Sequence, residues 1–284
     1  NSAFLQKAVF PVYFRKIVKM NFNISSKYSS LSMDSHGNIV SWTFSETGED
    51  VELFFPRQKV LDQNGLKIIR GGSHFCYPIF GTDPLGEMKK KHGFLRDLEV
   101  LIASQTNQEV GFEFHRNEDL EGRYKNIPLP ILKRKLDSEG YELFEELTID
   151  LSSTGLNDYL NVGIHPYFRT PSSGGEFVLS FLGRHGNQIE LNSREYPFNH
   201  DLFISVPVHT HAVPGFSLFS VGLGVFDWRL GLESNRPIRI EGFYLWRDSL
   251  DYICVEPVYT EKNKIFEKGR GVLTFQSTTR FTPA

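Results

Sequence analysis

Three short segments set titratable side chains among aromatic residues, glycine and proline. The first is Arg70-Gly71-Gly72-Ser73-His74-Phe75-Cys76-Tyr77-Pro78-Ile79-Phe80-Gly81, followed by Lys91-His92-Gly93-Phe94-Leu95-Arg96-Asp97. The second is Gly163-Ile164-His165-Pro166-Tyr167-Phe168-Arg169, and the third runs from Tyr252 through Glu256-Pro257 to Val258. Glu256 interrupts an apolar run. A carboxylate buried there is costly unless it is paired or used, although an edge position in water before Pro257 would also accommodate it. His165 reads either as a satisfied core histidine or as a proton donor, and His92, beside Lys89-Lys90-Lys91, either as a solvated loop residue or as a site residue. One carboxylate and two imidazoles are the parts that general acid–base catalysis needs. Arg70 and Arg96 add planar forks of donors suited to a carboxylate or a phosphate, with Asp97 and Glu99 as alternative partners in the chain itself.

Other chemistries find less support. No Gly-x-Gly-x-x-Gly opens a helix and no Walker-type loop occurs, so a nucleotide cofactor is not expected. His209 and His211 lack a third ligand at a sensible spacing, and no metal is expected. Cys76 and Cys254 lie far apart in apolar surroundings and read as buried thiols of a reducing compartment. The net charge of −3, from 31 basic and 34 acidic residues, does not favour nucleic acid or an anionic membrane. No run of 18 apolar residues is present, so no transmembrane helix is expected. Residues 1–33 carry no Asp or Glu but several lysines and an arginine. We read residues 1–37 as an N-terminal extension outside the fold, either an organellar import leader or an upstream extension, on an otherwise cytoplasmic protein.

The elements that must position these residues are strands. Ile39 to Phe44 and Val51 to Phe55 are β-rich, and Tyr141 to Leu151 places apolar residues at most odd positions against a largely acidic opposite face. Short runs follow at Phe177–Leu182, Gln188–Leu191, Leu202–Val208, Phe216–Val225, Ile238–Leu245, Tyr252–Val258 and Val272–Phe275, separated by turn signals such as Asn64-Gly65. No segment has a convincing helical period. The reading is all-β, a single large β-sandwich over residues 38–284.

The four motifs, Arg70–Gly81, His92–Arg96, His165–Phe168 and Glu256-Pro257, occur in an order that resembles the aldose 1-epimerase (galactose mutarotase-like) superfamily, including its hexose-6-phosphate 1-epimerase branch. The resemblance runs from about Asn38 to Phe281. It implies a β-sandwich with a sugar cleft and an isomerase that interconverts α and β anomers without a cofactor. Carried over by position, Glu256 is the general base, His165 the general acid, and His92 a hydrogen-bonding partner of the ring oxygen or a neighbouring hydroxyl. Arg70 and Arg96 match basic positions that hold the phosphate in the phosphate-sugar branch. Asp201 is the choice for the sugar-orienting acid, with Asp227 as alternative. The implied partner is a small sugar or sugar phosphate; the rival reading is a carbohydrate-binding protein without turnover. Ser73-His74 departs from the Ile-Pro pair more common in relatives, and Val258 stands where Trp is common.

The chain holds 25 Phe and 11 Tyr. Most fall on strand patterns and read as core. Phe75, Tyr77, Phe80, Phe94, Tyr167 and Phe168 fall inside the motifs, with Phe94 and Tyr167 the main candidates for contact with the apolar face of a sugar.

Overall fold

The computed structural model describes residues 21–61, 64–83, 86, 91–116, 120, 126–151, 161–170, 176–182, 188–195, 202–205, 215–220, 224–234, 242–258 and 272–283. Alternating side chains organise nearly all of them into strands. The first half contributes β1 (Phe22–Ser25), β2 (Ser29–Met33), β3 (Ile39–Phe44), β4 (Val51–Glu52), β5 (Gln58–Leu61), β6 (Lys67–Arg70), β7 (Ser73–Cys76), β8 (Val100–Gln105), β9 (Glu109–Phe114) and β10 (Ile131–Leu136). The second half contributes β11 (Glu142–Asp150), β12 (Gly163–Arg169), β13 (Phe177–Leu182), β14 (Gln188–Asn192), β15 (Leu202–Ser205), β16 (Gly215–Ser220), β17 (Gly224–Ser234), β18 (Gly242–Trp246), β19 (Tyr252–Val258) and β20 (Val272–Thr282).

Two antiparallel sheets result. The first runs β1-β2-β3-β7-β12-β19-β18-β15 with β4 beside β3, and the second runs β14-β13-β16-β17-β20-β11-β10-β9-β8. β5 and β6 form a separate hairpin. Aromatic pairs bridge the sheets: Phe75 meets Phe275 and Phe44 meets Phe281, with ring centroids 6.2 and 5.2 Å apart, and Phe22 meets Phe112 at 5.1 Å. These contacts make the molecule the β-sandwich expected from its strand patterns. Among the described residues no helix is long and apolar enough to cross a membrane.

The sheet starts earlier than the expected boundary at residue 38. Phe22, Ile24, Leu31 and Met33 are buried, and β1 and β2 pair in register from Phe22↔Met33 to Ser25↔Ser30. The alternation is there in the sequence, but serine and asparagine fill its outward positions and the apolar run is short. Residues 21–37 therefore belong to the domain, while residues 1–20 lie outside the described part.

A polar pin joins the layers. On the inward face of β11, Leu143, Leu147 and Ile149 are buried, and so is Glu145. Its cross-strand partner Arg134 donates from Nε to the Glu145 carboxylate at 2.9 Å. Arg134 also donates from Nη1 to the carbonyl of Gly37, between β2 and β3 of the opposite sheet. Removing one member strands the other charge in a dry interior. Glu145→Ala should therefore lower unfolding free energy by about 3–5 kcal/mol in urea denaturation, whereas replacing both Arg134 and Glu145 by apolar residues of similar volume should cost far less.

Candidate active site

The site is built on β12 and β19, at the centre of the first sheet. Their register pairs Gly163 with Val258 and Tyr167 with Cys254, which sets His165 across from Glu256. Both strands carry a proline at this point, Pro166 and Pro257, and the ladder between them is interrupted between those two pairs. Proline has no N–H to give, so the seam is poor in backbone bonds where the two polar side chains sit. His165 Nε2 lies 3.4 Å from Glu256 Oε1, and both residues are almost fully buried, at 6% and 4% exposure.

Three rings pack closely around His165, and Trp246 meets it edge-on further out, at 6.5 Å and 81°. His74 on β7 is its cross-strand partner on the other side and stacks on it, with centroids 5.0 Å apart and planes at 23°. Tyr167, two residues along the same strand and so on the same face, stacks at 4.8 Å and 12°. His92 meets the ring edge-on at 5.1 Å and 77°. Two glycines allow these approaches. Gly72, at φ +70°, brings β7 so close to β3 that a Cβ there would lie 1.8 Å from the Ile39 carbonyl oxygen. Gly93, at φ +71°, sits equally tight on the Tyr77 carbonyl, where a Cβ would come within 2.2 Å. His92 itself adopts φ 66°, uncommon for a residue with a side chain. Its backbone N–H donates to Gly81, and the Gly81 N–H reaches back to its Nδ1 at 3.3 Å. Nδ1 is thus an acceptor, and the proton of a neutral His92 sits on Nε2.

The cleft above the pair has a volume of about 1030 Å³. Phe80 and Tyr244 stack at 5.3 Å on one side, and Trp246 and Tyr167 form further aromatic wall. Arg57, Arg70, Lys91 and Arg96 supply cations, and among the described residues Asp97 and Glu256 are the lining carboxylates. Arg70 is held by Asp248, accepting donations from Nε and Nη2 on Oδ2 at 3.0 and 2.8 Å, and lies 5.0 Å over the Trp246 ring. Tyr252 donates its hydroxyl to the other Asp248 oxygen. Arg57 faces Asp34 at 3.5 Å. Arg96 donates to the Lys91 carbonyl and approaches His74 Nε2 at 3.4 Å, with no carboxylate partner among the described residues.

Glu256, His165, His92, Arg70, Arg96 and Tyr167, six residues singled out in the sequence, thus line one cleft. Phe94 does not. It is core, edge-on to Tyr77 at 6.1 Å, and Phe75, Tyr77 and Phe168 are likewise buried away from the cleft. Strand alternation explains Phe75 and Phe168, since each neighbours a cleft residue, His74 or Tyr167, and so points to the opposite face. Asp201 lies outside the described residues, as do His209 and His211. Asp227 lies on β17 of the second sheet, whereas the cleft is lined from the first sheet, the β5–β6 hairpin and the connections around them. His74, Arg57, Tyr244 and Trp246 were missed. For Tyr244 the alternation was legible, since it faces Glu256 across β18 and β19, but an aromatic on a strand reads first as core.

Burial governs the protonation of the imidazoles. His165 is held well below its ordinary range by desolvation, then by His92, Arg96 and Arg70. His74 is lowered likewise, by burial and then by His165, Arg96 and His92. His92 is pushed down to about 4, again by burial first and then by Arg96 and Lys91. All three are neutral at pH 7. His165, Cys254 and Glu256 also bring potential ligand atoms within 4.8 Å of one another, but the surrounding guanidinium groups oppose a further cation there.

No protein-family model matches the chain, and no curated protein does. Solved structures do. The protein Slr1438 from Synechocystis sp. PCC 6803 aligns with a TM-score of 0.64 at 17% identity over 97% of this chain and 100% of that one. A galactose mutarotase related enzyme from Lactobacillus acidophilus gives 0.65 at 14% identity, covering 93% and 97%. A galactose mutarotase-like protein from Lactobacillus casei ATCC 334 gives 0.60 at 12%, covering 93% and 100%. The chain has the galactose mutarotase-like fold.

A lowered histidine pKa means that between the folded and unfolded values the unfolded chain holds the extra proton. Stability contributed by a neutral His92 is thus present above its ordinary 6.5 and is lost as pH falls toward about 4. His74 and His165 act in the same direction. Denaturation curves from pH 4 to 8 should show stability falling with acid, and His92→Gln should reduce that slope by up to ~1.4 kcal/mol per pH unit in this window.

Proposed function

We propose that the protein is an aldose 1-epimerase, interconverting the anomers of a hexose or hexose 6-phosphate by general acid–base catalysis. The observation that carries the reading is the contact of His165 with Glu256, 3.4 Å apart on the dry floor of an aromatic-walled cleft. The Glu256 carboxylate takes the proton from the C1 hydroxyl as the bond from C1 to the ring oxygen breaks. A protonated His165 gives its proton to that oxygen. Rotation about C1–C2 presents the other face of the aldehyde, and the same groups in reverse roles close the ring. His92, with its proton on Nε2, donates a hydrogen bond to the ring oxygen or a neighbouring hydroxyl. Phe80, Tyr244 and Trp246 offer flat apolar surface to the C–H face of the sugar.

The cations do not all point one way, since the pairing of Arg70 with Asp248 favours a free sugar, whereas a cation without a carboxylate partner suits a phosphate. Arg70 and Arg57 face Asp248 and Asp34, which leaves Arg96 and Lys91 as the better anion ligands. A phosphate beside Arg96 also opposes the positive field that, after burial, keeps His165 neutral, and so helps the acid to hold its proton. The same low proton affinity supports a second reading, a carbohydrate-binding protein without turnover, because a neutral imidazole is a poor general acid.

Anomeric NMR of freshly dissolved α-glucose, α-galactose and their 6-phosphates separates the two. An epimerase accelerates exchange with at least one sugar, and Glu256→Gln or His165→Gln lowers that rate by about 10²–10⁴-fold while calorimetric binding persists. Binding without exchange selects the second reading, and neither binding nor exchange overturns both. Arg96→Met should raise KM for the 6-phosphate by about 10–100-fold and leave KM for the free sugar nearly unchanged.

A further inference from the structure

His74 has no part in the chemistry above, yet its ring stacks directly on that of the proposed acid. It is 3% exposed, lies across the β7–β12 ladder from His165, and stacks on that ring, as Tyr167 also does. A guanidinium can only donate, so the approach of Arg96 Nη1 to His74 Nε2 makes that nitrogen an acceptor. The proton of the neutral ring is then on Nδ1, which is buried without a hydrogen-bond partner. A phenylalanine would fill the same space without burying an orphaned polar atom. Among aromatic side chains only an imidazole both stacks and accepts a hydrogen bond through an atom of the ring itself.

We propose that His74 is a positioning residue: seated by Arg96, it shields one face of His165, keeping the ring dry and turned toward Glu256, and in return it holds the Arg96 guanidinium at the cleft. Other groups act on His165 as well. Glu256 and Cys254 face it from β19, Tyr167 from β12, Arg70 from β6, and His92 and Arg96 from the segment before β8. The contribution of His74 is separable because it is the cover on one face. The inference rests on the cleft geometry and not on turnover, so it can fail while the epimerase reading stands, and the reverse.

The test is a pH titration of the full chain labelled with ¹⁵N in histidine and arginine side chains. His74→Ala opens the stacked face to water, and the His165 midpoint should rise by about one pH unit or more toward its ordinary value. His74→Phe restores the cover, so the midpoint should stay near that of the unmodified protein. The same variant removes the acceptor of Nη1 and leaves the bond from Nη2 to the Lys91 carbonyl, so rotation of the Arg96 guanidinium, read from exchange between its Nη resonances, should become faster. A His165 midpoint that stays put in His74→Ala, or that moves equally in His74→Phe, overturns the proposal, as does an Arg96 signal indifferent to His74→Phe. If His74→Ala does not fold, His74→Asn takes its place, since it too removes the ring.

Discussion

The arrangement hangs on the antiparallel seam between β12 and β19. Its register puts an imidazole and a carboxylate opposite one another, and Pro166 and Pro257 remove backbone donors at the same place. Prolines in central strands weaken a sheet, and here the weakening is confined to a few residues between well-paired ends. The neighbours hold the seam together. β7 and β18 pair with its two outer edges, so His74 and Tyr244 arrive from either side at fixed register. Displacing either seam strand by one residue would turn its functional side chain toward the core, because side chains alternate with a period of two.

The depth of the seam then sets the electrostatics. A site in the middle of a nine-stranded sheet, backed by a second one, is far from water on its floor. Desolvation is accordingly the first cause of the low proton affinity of His74, His92 and His165, ahead of any single charge. The cations at the mouth push the same way. An empty cleft therefore keeps its imidazoles neutral, and a ligand that brings negative charge shifts that balance. Aromatic walls and cationic rim thus act on the same imidazoles, the first by excluding water and the second by opposing positive charge.

Much of the site was legible in the sequence because its residues break local patterns. Glu256 interrupts an apolar strand, His165 precedes a proline, and His92 sits in a glycine-flanked turn. Residues that obey their pattern were harder to see. Tyr244 and Trp246 look like core, and His74 sits on a short strand, all four residues of which are buried. Phe94 shows the converse: its motif neighbours His92 and Arg96 line the cleft, but its own ring completes the core beside Tyr77. Similarly, β1 and β2 carry clear alternation on inspection, yet four or five residues rich in serine do not announce a strand until a sheet edge accepts them.

Residue order alone makes the chain all-β, gives most strands an apolar face, and sets one carboxylate, two imidazoles and two arginines apart from that plan. Those are local properties, since periodicity and residue type act over a few neighbours. Only the folded arrangement brings Glu256 and His165, 91 positions apart by their numbers, within 3.4 Å, stacks His74 on His165, and sets Arg70 on Asp248 while Arg96 meets no carboxylate among the described residues. The physical reason is that strand order and register are chosen by the packing of the whole sandwich, through contacts between residues that no local pattern connects.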